Sequence, residues 1–223
     1  PSELRQGPVA DRNCPGYCYA GVMKPLRGLA GAGARFHQGY NNAFNGSAGA
    51  RMYHQVFARM IGAWRETFGD PRMPFCIISL CTDGPPQTWE NFLAPMYDAG
   101  VYIREAQYRT FCDLRAAGDT RIGFASSFDL RKAWYHPQIK IPVGERAAKW
   151  ALATRYERLD GRDAAGWWLP PTIEKVEIGE GTMRLTMSSD VKTHDDSDGR
   201  MLGFAIAGRR SEERRVGKEC RSR

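Results

Sequence analysis

The sequence has no apolar run close to the roughly 18 residues of a membrane-spanning helix, so we expect no membrane partner. After Pro1 there is no basic segment followed by an apolar one, so no export signal is visible. No two cysteines have the C-x-x-C spacing of redox or zinc sites, and we expect neither a metal nor a cofactor. Hydrophobic residues make up 42% and charged residues 26% of the chain, which is typical of a globular protein.

The cysteines form a poor disulfide framework. One of the six, Cys220, lies in the C-terminal tail described below, and the remaining five are an odd number. Cys76 and Cys81 lie in an apolar run and are predicted to be core thiols. A bridge between Cys14 and Cys18 is left open, because cysteine spacing alone does not decide it.

The net charge of +7 is concentrated at the end of the chain. Residues 210–223, RSEERRVGKECRSR, carry +3 of it, and the remaining +4 is mixed in sign with no basic stripe. This tail resembles the translation of a sequencing adapter and follows an apolar segment abruptly. We interpret it as artefactual and expect no nucleic-acid partner. One alternative is that the tail is a native basic arm. Another is that the protein is a basic nucleic-acid binder, which predicts salt-sensitive DNA binding that survives deletion of residues 210–223.

Apolar residues alternate between strand-like and helix-like patterns along the first 158 residues. Short apolar runs predict strands, and apolar residues three and four apart predict helices. The predicted strands are 34–38, 75–81 and 121–126, and the predicted helices are 51–68, 97–117 and 143–156. This order predicts an α/β fold, a three-layer parallel sheet of the SGNH or flavodoxin type that is truncated here.

The character of the sequence changes after residue 158. We predict a linker at 159–171 and an incomplete β-sandwich-like domain at 172–209. Within that domain, apolar residues alternate on both sides of Gly179-Glu180-Gly181, which indicates a hairpin. Residues 203–207 are a further candidate strand, and about forty residues are too few for a complete sandwich.

Two polar clusters follow the first and third predicted strands. Gln38, Gly39 and Asn41 come directly after the first strand, and Asp129 and His136 follow the third. Ligands of open parallel sheets bind beyond the carboxyl ends of the strands, so we expect both clusters at one site.

Seven segments, in order, resemble the sialate O-acetylesterases, a family of SGNH-type carbohydrate acetylesterases. FHQGYNNAF resembles the family pattern W-Y-Q-G-E-S-N, and YHPQIKIPVGERAAKWALATRY resembles I-H-P-x-x-K-x-x-V-G-x-R-L-A-x-x-A-L-x-x-Y. The others are YAGVMKPL, IGAWR, MPF, IREAQ and LGFAIAG, and together the seven span most of residues 14–208.

This resemblance implies hydrolysis of O-acetyl esters on sugars by a serine and a histidine. The histidine role falls on His136, and Asp129 is a candidate to orient it. Gln38, Gly39 and Asn41 are the oxyanion-side candidates, although Tyr40-Asn41 stands where the family has Glu-Ser. Trp134 neighbours His136 and is the candidate sugar platform.

The family's nucleophile segment, G-Q-S-N, does not occur in the sequence. We therefore expect a fragment whose serine lies upstream, inactive alone, from a protein that acts outside the cytoplasm as its relatives often do. The alternative is a non-catalytic carbohydrate-binding or interaction protein on the same fold. The acetylated sugar and the oligomeric state are left open.

Overall fold

A computed structural model of the chain describes residues 14–81, 100–130, 139–158 and 167–191, together with the backbone of two short strands at 206–207 and 213–214. Its α-helices are α1 (Tyr40–Ala43), α2 (Gly46–Phe68), α3 (Gly100–Ala116) and α4 (Ile141–Thr154). Its strands are β1 (Ala34–His37), β2 (Phe75–Ile78), β3 (Ile122–Ala125), β4 (Ile173–Gly179), β5 (Thr182–Met187), β6 (Ile206–Ala207) and β7 (Glu213–Arg214). Short helical turns lie at Tyr19–Met23, Lys24–Leu26 and Phe128–Leu130.

The central element is a three-stranded parallel sheet in the order β1-β2-β3. Phe75 pairs with Ala34 on one side and with Ile122 on the other, and the register holds to the ends of the strands. All three strands therefore end at the same edge, and the chain leaves each of them there. The predicted α/β architecture with a parallel sheet is confirmed.

Helices cover both faces of this sheet. On one face the aromatic rings of Phe36 and Phe75 pack against Trp64 of α2, and Phe124 packs against Phe111 of α3. Neighbouring residues of a strand point to opposite faces, so Gly123 lies on the other face, where it meets Trp150 of α4. These three layers bury a continuous apolar core.

Cys76 and Cys81 lie in this core, as predicted, with no side-chain area exposed to solvent. Burial raises the pKa of Cys76 to about 12, with Arg35 acting weakly in the opposite direction. The Cys76 thiol therefore stays protonated near neutral pH and is unsuited to nucleophilic chemistry.

Gly123 allows the close approach of α4 to the sheet. A Cβ atom at this position would lie 2.4 Å from Cδ1 and Nε1 of Trp150. We expect Gly123→Ala to lower the free energy of unfolding by about 1–3 kcal/mol, because the Trp150 ring would have to move within a packed core. Urea denaturation measures this. Gly144→Ala on α4 is the control, since nothing lies within 4 Å of its added Cβ, and equal losses would contradict the account.

The hairpin of β4 and β5 confirms the sequence prediction, with Ile178 opposite Met183 and Val176 opposite Leu185. Its strands are largely exposed; Ile178, for example, is 79% exposed. The segment Trp167–Leu169, which falls in the predicted linker, instead packs on the α/β core. The domain boundaries stay a prediction.

β6 lies within the candidate strand 203–207 and pairs antiparallel with β7, which falls in the tail that we interpreted as artefactual. No helix in the described part of the chain is long and apolar enough to cross a membrane.

Candidate active site

The chain turns sharply at Gly39 as it leaves β1. Gly39 is buried and has φ of 148° and ψ of −16°, a backbone conformation that side-chain-bearing residues rarely adopt. A Cβ here would lie 2.7 Å from Cγ2 of Ile103 and 3.3 Å from Nε2 of Gln107, both on α3. Glycine is therefore required at this position for two reasons, the backbone angle and the close approach of α3.

The carbonyl oxygen of Gln38 is held from inside the protein. It accepts hydrogen bonds from Nε2 of Gln107 at 2.6 Å and from the Tyr53 hydroxyl at 3.1 Å. Burial raises the pKa of Tyr53 to about 12, with a smaller opposing effect of the hydrogen bond from Gln107, so the hydroxyl keeps its proton. Two donors from α2 and α3 thus fix the direction of this carbonyl.

The same geometry fixes the N–H of Gly39. The Gln38 carbonyl and the Gly39 N–H belong to one trans peptide unit, so they point in opposite directions. Because the carbonyl points toward α2 and α3, the N–H points away from these helices. No described residue accepts a hydrogen bond from it. A buried N–H group of this kind is a ready donor to a ligand.

Two side-chain amides accompany this N–H. Gln38 donates from Nε2 to Oδ1 of Asn42 at 2.8 Å, which holds its exposed side chain over the short helix α1. Asn41 is also exposed, and no described residue hydrogen-bonds to its carboxamide. The structure therefore groups Gln38, Gly39 and Asn41 in one turn, which we call the amide turn.

The loop after β3 is tied to the end of β2. Ser127 is fully buried, donates from Oγ to the carbonyl oxygen of Ser79 at 2.5 Å, and donates from its backbone N–H to Oγ of Ser79 at 3.0 Å. This contact sets the direction in which the chain continues through Phe128–Leu130. Asp129 lies on this segment, which follows β3, whereas the amide turn follows β1, two strands away in the sheet.

Asp129 forms a two-pronged ion pair with Arg146 of α4. Both guanidinium-to-carboxylate distances are 2.7 Å, and Nη1 of Arg146 also donates to the Ser126 carbonyl at 2.7 Å. Partial burial raises the pKa of Asp129, but the hydrogen bonds and charge of Arg146 outweigh it, and the pKa is lowered overall. Asp129 is therefore a fixed carboxylate at neutral pH.

This lowered pKa makes part of the stability depend on pH. The contribution of the pair is complete above the ordinary Asp pKa of 3.8 and is lost as the pH falls through the lower pKa of the folded state. We expect Asp129→Asn to lower the free energy of unfolding by about 0.5–1 kcal/mol at pH 7, because the pair is partly exposed, and by less at pH 3, below the ordinary Asp pKa of 3.8.

Urea denaturation of both proteins at the two pH values measures this difference. Glu105→Gln is the control, because Glu105 lies 3.7 Å from Arg109 in an exposed ion pair. We expect this substitution to lower the free energy of unfolding by only about 0.3 kcal/mol at pH 7. An Asp129→Asn loss of the same size at both pH values would contradict the ion-pair account.

An open cleft of about 1260 Å³ borders Asp129 and Arg146. One wall is formed by α3, β3 and α4, and the other by residues 167–172, 174 and 188–189. The guanidinium group of Arg115 lies 5.7 Å from the ring centre of Trp168 in this wall. The volume of this cleft exceeds the roughly 300–1,000 Å³ of pockets for drug-sized molecules.

Two predicted site residues, His136 and Trp134, lie outside the described residues. Among those that the structure describes, no group of three or more His, Cys, Asp or Glu side chains could hold a metal ion. Three residues that contact the site were missed by the sequence analysis: Tyr53, Gln107 and Arg146. Gln107 had a usable signal, because it stands four residues from both Ile103 and Phe111 on the apolar face of its helix.

Comparison with solved structures shows a similarity in fold. The crystal structure of XAC1771, described as a novel carbohydrate acetylesterase from Xanthomonas citri, matches with a TM-score of 0.63 and 24% sequence identity. The match covers 85% of this chain and 40% of that one, so the chain spans less than half of the solved protein. No protein-family model and no curated protein matches the sequence. At this level of identity, the similarity shows a shared fold.

Proposed function

We propose that this chain is part of a carbohydrate O-acetylesterase of the sialate O-acetylesterase type, in which it contributes the oxyanion donors and the catalytic histidine. The observation that carries the proposal is the Gly39 N–H, which points away from the core at the carboxyl edge of the sheet. The similarity in fold to a protein described as a carbohydrate acetylesterase supports the same function. The nucleophilic serine would lie in a longer protein, outside these 223 residues.

In the proposed reaction, the serine oxygen attacks the acetyl carbonyl carbon while His136 accepts the serine proton. The carbonyl oxygen becomes negatively charged and is stabilised by the Gly39 N–H and the Asn41 carboxamide. The bond to the sugar oxygen then breaks, and His136 returns the proton to that oxygen. Water releases acetate from the acetylated serine by the same steps.

Asp129 and the cleft have supporting roles in this proposal. Asp129 is already held by Arg146, so in this proposal it acts as a fixed negative charge instead of as an acid. The cleft beside it would hold the sugar chain, with Trp134 as a further platform.

The test compares the 223-residue chain with the protein encoded by the complete gene. We expect the complete protein to release acetate from acetylated xylan, acetylated sialic acid or p-nitrophenyl acetate, and the 223-residue chain to release almost none, because loss of a triad member removes most of the catalysis. If the 223-residue chain hydrolyses these esters, and His136→Ala abolishes that hydrolysis, the serine outside these residues is not needed. Sugar binding without hydrolysis by the complete protein would favour the carbohydrate-binding alternative.

A further inference from the structure

Gln107 connects the turns that follow two neighbouring strands. Its side chain is fully buried, and its position on α3 is 69 residues from Gln38 along the chain. Oε1 accepts a hydrogen bond from the Leu80 N–H at 2.8 Å, just after β2. Nε2 donates to the Gln38 carbonyl at 2.6 Å and to the Tyr53 hydroxyl at 3.2 Å.

These contacts use every strong hydrogen-bonding direction of the Gln107 amide except one lone pair. The Leu80 N–H requires an acceptor and the Gln38 carbonyl requires a donor, so the amide has only one satisfactory orientation. These hydrogen bonds offset the cost of burying the amide, and an apolar side chain of the same shape would leave the Leu80 N–H without an acceptor. The glutamine therefore stabilises the fold and also fixes the direction of the Gln38 carbonyl.

We propose that Gln107 is a positioning residue for ester hydrolysis: by holding the Gln38 carbonyl, it aims the Gly39 N–H at the oxyanion. This inference rests on the proposed function. Rotation of the Gln38–Gly39 peptide would turn the carbonyl toward the oxyanion and the N–H inward. Gln107 and Tyr53 prevent that rotation, because a carbonyl turned outward would leave both donors without an acceptor. Gln107 itself does not contact the substrate.

The first test is kinetic and uses the complete protein. We expect Gln107→Met to lower kcat about 100-fold while KM changes less than about threefold, because a misdirected oxyanion donor affects the transition state more than the bound substrate. Tyr53→Phe removes one of two donors to the carbonyl and should lower kcat about 3- to 10-fold.

Thr110→Val is the matched control. Thr110 is equally buried on α3, but its hydroxyl donates only to the Ala106 carbonyl within its own helix. We expect kcat of this variant to stay within about twofold of the parent protein. A kcat for Gln107→Met that equals that of Thr110→Val would overturn the inference.

The variant Gln107→Glu tests the donor directly and applies even if Gln107→Met does not fold. A protonated carboxyl group can accept from Leu80 and donate to the Gln38 carbonyl, whereas a carboxylate cannot donate, and burial raises the pKa of a carboxyl group. We expect the ratio of its kcat to that of the parent to rise at least about tenfold as the pH falls from 8 to 5. A ratio independent of pH would overturn the inference.

A third measurement needs no serine and uses the 223-residue chain. In Gln107→Met the Leu80 amide should exchange with solvent at least about tenfold faster, and the Gly39 amide resonance should shift, while Thr110→Val changes neither. If the complete protein hydrolyses no acetyl ester, the proposed function is wrong, and unchanged Leu80 and Gly39 amides would separately overturn the role of Gln107.

Discussion

His136→Ala is expected to lower kcat for acetyl-ester hydrolysis by the complete protein about 10⁴- to 10⁶-fold, with a much smaller change in KM. In the proposed reaction, the serine would lose its general base and the departing sugar oxygen would lose its proton donor. Release of acetate from acetylated sugar, measured at several substrate concentrations, separates the two constants.

His54→Ala is the control for a histidine outside the site. His54 lies on α2, and its Nε2 atom is 2.8 Å from the carboxylate of Asp113 on α3. This pair joins two helices at the surface, so its loss should leave kcat within about twofold and cost at most about 1 kcal/mol of stability. If both histidine variants retain full activity, a different group is the base.

Gly39→Ala is expected to lower the free energy of unfolding by about 2–4 kcal/mol. Part of this cost is backbone strain at φ of 148°, and part is the clash of the added methyl group with Ile103, 2.7 Å away. The complete protein carrying this variant should also lose at least about 100-fold in kcat, because relief of the strain and the clash would move the N–H that we propose as an oxyanion donor.

Gly62→Ala is the matched control for Gly39→Ala. Gly62 lies within α2, and nothing lies within 4 Å of an added Cβ there. This variant should have a free energy of unfolding about 0.5–1 kcal/mol higher than the parent, because alanine favours the helix and loses less backbone entropy on folding. Urea denaturation of both variants measures these changes in the free energy of unfolding. A Gly39→Ala protein as stable as the parent would show that neither the backbone angle nor the contact with α3 requires glycine at position 39.

Much of the architecture could be predicted from the sequence, because periodicity reports which residues are buried. The apolar run at 75–81 predicted β2, and the spacing of apolar residues predicted α2 through Phe68. The prediction ended α2 correctly at Gly69, which adopts a left-handed conformation, with φ of 71°. The observed helix begins at Gly46, five residues earlier than predicted, since its first turn, with glycine at both ends, has no apolar pattern to mark it.

The site could be predicted only in part, for a physical reason. Gln38, Gly39 and Asn41 lie within four residues of the sequence, so a motif could group them, and their role in a site stays a prediction. Gln107 and Tyr53 reach the Gln38 carbonyl from separate helices, and such contacts depend on how α2 and α3 pack on the sheet. No local pattern encodes that packing.

The partner of Asp129 could not be predicted from the sequence either. Asp129 was a candidate to orient His136, whereas in the structure both of its carboxylate oxygens bind Arg146, seventeen residues further along the chain. Arg146 lies in the segment that resembles the family's V-G-x-R pattern, but a motif does not reveal which carboxylate an arginine binds. The role of Asp129 toward His136 stays a prediction.

The central claim is that the amide turn and His136 act on one acetyl ester at the carboxyl edge of the sheet. The most direct test is a crystal structure of the complete protein after reaction with paraoxon, which transfers a diethyl phosphoryl group to an esterase serine and releases p-nitrophenolate. We expect a phosphoryl oxygen within hydrogen-bond distance of the Gly39 N–H and the His136 ring beside the modified serine. A ring on the far side of the sheet from Gln38 and Asn41 would contradict the account.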